Sequence, residues 1–181
     1  MRSLLMLAAV LCALSAYAEG IHIKSAELVP GESSFALEAN YEIGLTATLE
    51  ESLVRGLTLN FATDFEVVYP RWWTLNLWNR VVSEARIRHR LSYNALTRQY
   101  RLSFGSLHQN FATLAEALGV LGRVRHRPAV RFAELEAGEV YEAAVRLRLE
   151  TSLLPKPLQI DAIASRDWNL TSDWYRWTFT P

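Results

Sequence analysis

Two adjacent indoles behind an arginine, Arg71-Trp72-Trp73, are the side chains of this chain best suited to recognition. An exposed indole is a large, rigid, amphipathic surface that can stack on a sugar ring, sit at a membrane interface or anchor a partner protein. Arginine adds a planar fork of donors that never loses its charge. Successive side chains of a strand point to opposite faces, so Trp72 and Trp73 cannot both enter a core from a regular strand. One of them belongs to a rim or to solvent. Trp168, Trp174 and Trp177 form a second group, read as plugs at the open end of a sandwich core. Arg71, Trp72 and Trp73 are therefore the candidate contacts for a partner or ligand.

Groups that could catalyse a reaction are sparse. His22, His89, His108 and His126 lie far apart, with no second histidine or cysteine at metal-ligand spacing, so no metal site is predicted. Gly105-Ser106-Leu107-His108 lacks the second glycine of a nucleophile elbow and reads as a turn. No glycine-rich phosphate loop is present. Glu50 with Glu51 and Glu134 with Glu136 are paired carboxylates, but their neighbours read as a helix start and a solvated loop. Nothing there would split their pKa values into an acid and a base. The chain is read as a non-enzyme with no catalytic residue and no cofactor.

Charge and export narrow the partners. Residues 1 to 18 have Arg2 ahead of an apolar run from Leu4 to Leu14 and end in Ala16-Tyr17-Ala18, the pattern of a cleavable signal peptide. The run is well short of the roughly 20 residues that a spanning helix needs. A mature chain beginning at Glu19 loses one arginine and the only cysteine, Cys12, which leaves a formal charge of −1 and no disulfide. Such a chain has no general pull on nucleic acid. Seventeen of its nineteen basic residues in the full sequence are arginine. That bias reads either as a surface for anionic partners such as lipid head groups or as the codon usage of a GC-rich genome.

The elements that must position these groups are mostly strands. Phe35, Leu37, Ala39, Tyr41, Ile43 and Leu45 alternate with polar residues, as do Leu57 to Val67, Ala85 to Tyr93 and Tyr141 to Leu149. Across Asn94-Ala95-Leu96-Thr97 the phase shifts to Tyr100, Leu102 and Phe104, which predicts a hairpin. Tyr175, Trp177 and Phe179 close the chain in the same style. Two short helices are predicted: one capped by Thr48 with Glu51 and stopped at Gly56, the other capped by Thr113 with Glu116 and stopped at Gly122. Ser152-Leu153-Leu154-Pro155-Lys156-Pro157-Leu158 reads as a sheet edge broken by proline. Arg86-Ile87-Arg88-His89-Arg90 and Arg123-Val124-Arg125-His126-Arg127 echo each other without a longer repeat, and read as similar strand chemistry. These observations predict one mainly-β domain over residues 19–181, an antiparallel β-sandwich with two short helices.

Several of these motifs together carry a family likeness. Arg71-Trp72-Trp73, Leu91-Ser92-Tyr93-Asn94 with Arg98-Gln99-Tyr100, the Leu114…Ala117-Leu118 helix, Tyr141 with Arg146, Leu154-Pro155-Lys156-Pro157-Leu158 and Trp168 through Trp177 resemble the family called domain of unknown function 4390. The resemblance spans roughly residue 21 to the end. It implies an exported protein of proteobacteria, periplasmic in a Gram-negative cell, with no catalytic residues to carry over. It also implies a link to a membrane sensor kinase, which points to an accessory or interaction module working on that kinase or another envelope protein. A lipid- or glycan-binding sandwich is the alternative expectation.

Overall fold

The computed structural model describes residues 19–70 and 80–181. The segment read as a signal peptide, and with it Arg71, Trp72 and Trp73, lies outside the described residues. Within them the element order is β1 (Gly20–Pro30), β2 (Ser34–Gly44), α1 (Ala47–Val54), β3 (Leu59–Tyr69), β4 (Arg80–Asn94), β5 (Gln99–Phe104), β6 (Leu107–Phe111), α2 (Leu114–Leu121), β7 (Arg123–Arg131), β8 (Tyr141–Leu149), α3 (Lys156–Ala164) and β9 (Tyr175–Phe179). The strands form two sheets, ordered β1-β2-β7 and β6-β5-β4-β3-β8-β9. Every described pairing is antiparallel.

The period of two in the sequence sorts each strand into a dry and a wet face, and the two dry faces meet. Leu37, Ala39, Tyr41 and Ile43 of β2 share one core with Phe61, Phe65 and Val67 of β3 and with Tyr141, Val145 and Leu147 of β8. Leu91, Leu102 and Val130 add to it from β4, β5 and β7. Each fully buried leucine or phenylalanine contributes roughly 1.5–3 kcal/mol of transfer free energy, which is how a domain without disulfides holds together.

The predicted hairpin joins β4 to β5. The Asn94 carboxamide accepts from the Leu96 and Thr97 amides, and Arg98 takes the left-handed conformation at φ 53° that closes the turn. Helix α2 is capped as its sequence predicts: the Thr113 hydroxyl accepts from the Glu116 amide, and Glu116 accepts in return from the Ala112 amide. Its C-terminal Gly122 is required by contact rather than by φ, because a Cβ there would run into the Tyr41 carbonyl. That closeness lets the Tyr41 amide donate to the Gly122 carbonyl at 2.7 Å, which pins α2 to the smaller sheet.

Three sequence expectations are corrected. Helix α1 is capped by Thr46, whose hydroxyl accepts from the Leu49 amide, while the Thr48 hydroxyl instead donates to Asp167. There are three short helices rather than two among the described residues. The third, α3, replaces the expected sheet edge: Pro157 sits in its first turn, where a missing N–H is tolerated just as it is at an edge.

Candidate functional site

The wet face of the six-stranded sheet gathers the charge that the sequence spreads along four strands. Register sets Arg86 of β4 and Arg146 of β8 on either side of Asp64 of β3. Directly opposed side chains on one face of a sheet lie about 4.5–5.5 Å apart, so this row must interact. Asp64 Oδ1 accepts from Arg86 Nε at 2.5 Å, and Oδ2 accepts from Arg146 Nε at 3.1 Å and Arg148 Nε at 2.8 Å. Burial by itself would raise the Asp64 carboxyl, which is 7% exposed, but Arg148, Arg86 and Arg146 outweigh it and hold the pKa below the ordinary aspartate value. Glu150, also buried, accepts from Arg88 Nε at 3.0 Å and lies 3.6 Å from Arg148 Nη2.

Two carboxylates therefore hold four guanidiniums. Further along the same end, Arg90 lies beside Asn60 and Arg101 donates to Asn110 Oδ1 at 3.2 Å. This end of the face keeps an excess of positive charge. The other end is acidic: Glu66 and Glu84 are register partners, Glu142 lies nearby on β8, and Arg176 is the cation among them, at 2.7 Å from Glu142 and 3.6 Å from Glu66. Between the ends lies a hollow of about 470 Å³ bounded by Asp64, Glu84, Arg86, Arg88 and Trp174.

Trp174 marks that boundary. The Arg146 guanidinium carbon lies 4.5 Å and that of Arg176 5.6 Å from its ring centroid, within cation–π range. Its expected role as a core plug is corrected, because the phase of β9 puts Tyr175, Trp177 and Phe179 on the dry face and leaves the residue before them over the wet one. Trp168 is buried, and Trp177 packs against Phe65 at 6.5 Å between centroids. Arg71, Trp72 and Trp73 fall outside the described residues; Tyr69 and Arg80, which flank that stretch, are register partners beyond the acidic end. Gly105-Ser106 is the turn between β5 and β6, with Gly105 at φ +58°.

Sequence reasoning named the arginine runs and missed their anchor. Asp64 comes between two Arg-x-Arg runs only through the register of β3 with β4 and β8, so spacing along the chain carried no sign of it.

Two antiparallel sheets that share one core, flanked by short helices, make this a mainly-β, sandwich-like protein. The chain belongs to the family described as "Domain of unknown function (DUF4390)", whose model matches residues 18–178. No curated protein matches it, and no solved structure does either.

Proposed function

We propose that this chain is an exported, periplasmic, non-enzymatic interaction module that docks on an envelope protein through the wet face of its six-stranded sheet. The observation that carries the reading is the sorting of charge on that face, positive around Arg88, Arg90 and Arg148 and negative around Glu66, Glu84 and Glu142. An anionic membrane would complement only one end. A polypeptide with charges of both signs complements both, and such complementarity fixes orientation and partner choice more than raw affinity. A membrane sensor kinase is the partner that the sequence resemblance implies, and the signal-like residues 1 to 18 would place the module where the kinase's outer region is reached. Arg71, Trp72 and Trp73, which follow β3 in sequence, stay the contact candidates that the sequence names.

The test is photo-crosslinking in intact cells from positions 90 and 84, one at each charged end, with position 96 at the β4–β5 turn as control. Both face positions should trap one and the same protein, from a chain recovered in the periplasmic fraction with Glu19 at its N-terminus. No product from either face position, or the same product from position 96, sinks the reading.

A lipid- or glycan-binding role has one observation in its favour, a groove of about 750 Å³ between α2 and β2 along Ile43, Leu45, Leu114, Leu118 and Tyr100. Native mass spectrometry would then find a retained ligand; a clean protein mass counts against it.

A further inference from the structure

The edge of a sheet offers unpaired N–H and C=O groups to any strand that can lie along it, and three of the four edges among the described residues are blunted against this. β1 carries Lys24 at its register shift between Ile23 and Ser25 and ends at Pro30. β7 is shifted twice against β2, contains Pro128 and has four exposed arginines. β9 carries Arg176, which is paired with Glu142. β6, Leu-His-Gln-Asn-Phe from 107 to 111, has none of these devices: no lysine, arginine, acid or proline, and no shift in its register with β5.

The turn before β6, Gly105-Ser106, has two residues, and the pairs of β5 with β6 run in step from Phe104 with Leu107 to Tyr100 with Phe111. Residues that flank a two-residue turn bond to each other, and the alternation of an antiparallel ladder then makes Leu102 and Gln109 the next bonded pair. His108 and Asn110 consequently turn their N–H and C=O groups away from β5. Among the described residues no other strand and no further backbone bond takes up these groups. The strand is exposed from Leu107 to Asn110. Leu107 shares a face with the buried Phe111 yet is 69% exposed, so the cover of the core stops short of this corner.

We propose that β6 pairs with β6 of a second copy of this chain, antiparallel and about a two-fold axis through Gln109, joining two six-stranded sheets into one of twelve strands. In that arrangement the strand is its own complement. His108 comes opposite Asn110 of the second copy, so the outward N–H and C=O groups of both residues find partners and none is left over. Leu107 comes opposite Phe111, and Gln109 opposite itself. Like charges are not opposed: Arg101 is one strand in on each side, which keeps the two guanidinium-bearing positions three strand spacings, about 14 Å, apart and beyond the screening length of about 8 Å at physiological salt. The pairing uses up the free side of β6 in both copies, so the assembly closes at two. Two five-residue strands bury little surface, and a reversible dimer with a Kd on the order of 100 μM is expected. The edge is distinct from the proposed docking face, and the pairing does not depend on that reading.

The test is sedimentation equilibrium across concentrations that span this Kd. The mean mass should rise towards that of two chains and level there. Gln109→Lys sets two like charges against each other on the axis and should weaken the dimer roughly tenfold or more. In a non-bonded antiparallel pair the Cα atoms lie about 4.5 Å apart, within disulfide reach, so Gln109→Cys in a Cys12→Ser background should link two chains on mild oxidation. Leu96→Cys, exposed at the β4–β5 turn, should not. A monomer at every concentration, a mass that climbs past two chains, an unchanged Kd in Gln109→Lys, or linkage from Leu96→Cys as readily as from Gln109→Cys each overturns the proposal. So does a Gln109→Cys chain that links to a different protein in cells and not to itself, which would give the edge to a foreign strand. If Gln109→Lys does not fold, the comparison of the two cysteine variants decides alone.

Discussion

Two segments of nearly the same five residues, Arg86-Ile87-Arg88-His89-Arg90 and Arg123-Val124-Arg125-His126-Arg127, end up doing opposite things. In β4 the run is regular: three arginines face water, and His89 faces the core. In β7 a single extra residue breaks the alternation, and the histidine joins the three arginines of its run at the surface. The buried histidine of the first segment and the exposed cations of the second line the same shallow cleft. Residue type sets what a side chain can do; the phase of the strand decides where it does it.

The largest expected difference between the segments lies in what holds their arginines. Asp64 is buried and takes three guanidiniums from β4 and β8, so Asp64→Ala leaves them to repel one another. Because the guanidiniums are themselves partly open to water, a loss of about 2–4 kcal/mol is expected, read as a lower urea midpoint. A midpoint within error of the native chain would mean that the network is ornamental.

The second difference is in the histidines. Burial, and after it the charge of Arg127, pushes the folded pKa of His89 down to about 4, below the ordinary value near 6.5, so between those two pH values the unfolded chain binds the extra proton. Stability from this group is therefore complete above about pH 6.5 and is lost as pH falls toward 4, by on the order of 3 kcal/mol. His89→Leu should remove that part of the pH slope. The contribution of Asp64, whose pKa is lowered, would be lost only further down, through and below the ordinary carboxylate range. An unchanged slope between pH 6.5 and 4 in His89→Leu would place the titration elsewhere.

The smallest effect should come from the bulge itself. His126→Gly relieves the positive φ at the expense of an exposed pairing to Glu38, and is expected to raise stability by up to about 1 kcal/mol. The equivalent His89→Gly should destabilise by several times that. A destabilised His126→Gly would mean that the histidine side chain, not the extra residue, supports the bulge.

Alternation made much of this fold legible, since a half-buried strand advertises its faces: β2, β3, β4, β5, β8 and β9 can be read from it, and so can the Thr113 cap and the Asn94 turn. β1, which is interrupted by its own register shift between Ile23 and Ser25, and the mostly exposed β6 give no such contrast. Helix α3 was hidden because proline marks a sheet edge and a first helical turn equally well. Thr46 and Thr48 both suit an N-cap, and only the contacts to Asp167 separate them. The bulge in β7 was invisible because arginines fill the outward positions on both sides of it, and a slip of one residue then leaves the polar pattern unchanged.

By itself the sequence determined the mainly-β class, most strand faces, two of the three helices and the family likeness, because these depend on spacing between near neighbours. It also supplied the charges without saying which would meet. Tertiary structure alone decided that Asp64 anchors arginines more than eighty residues away on β8, that Trp174 lies outside the core, and that His89 is buried while His126 is exposed. Those outcomes rest on register between strands, and register is fixed only when the dry faces of two sheets close on each other.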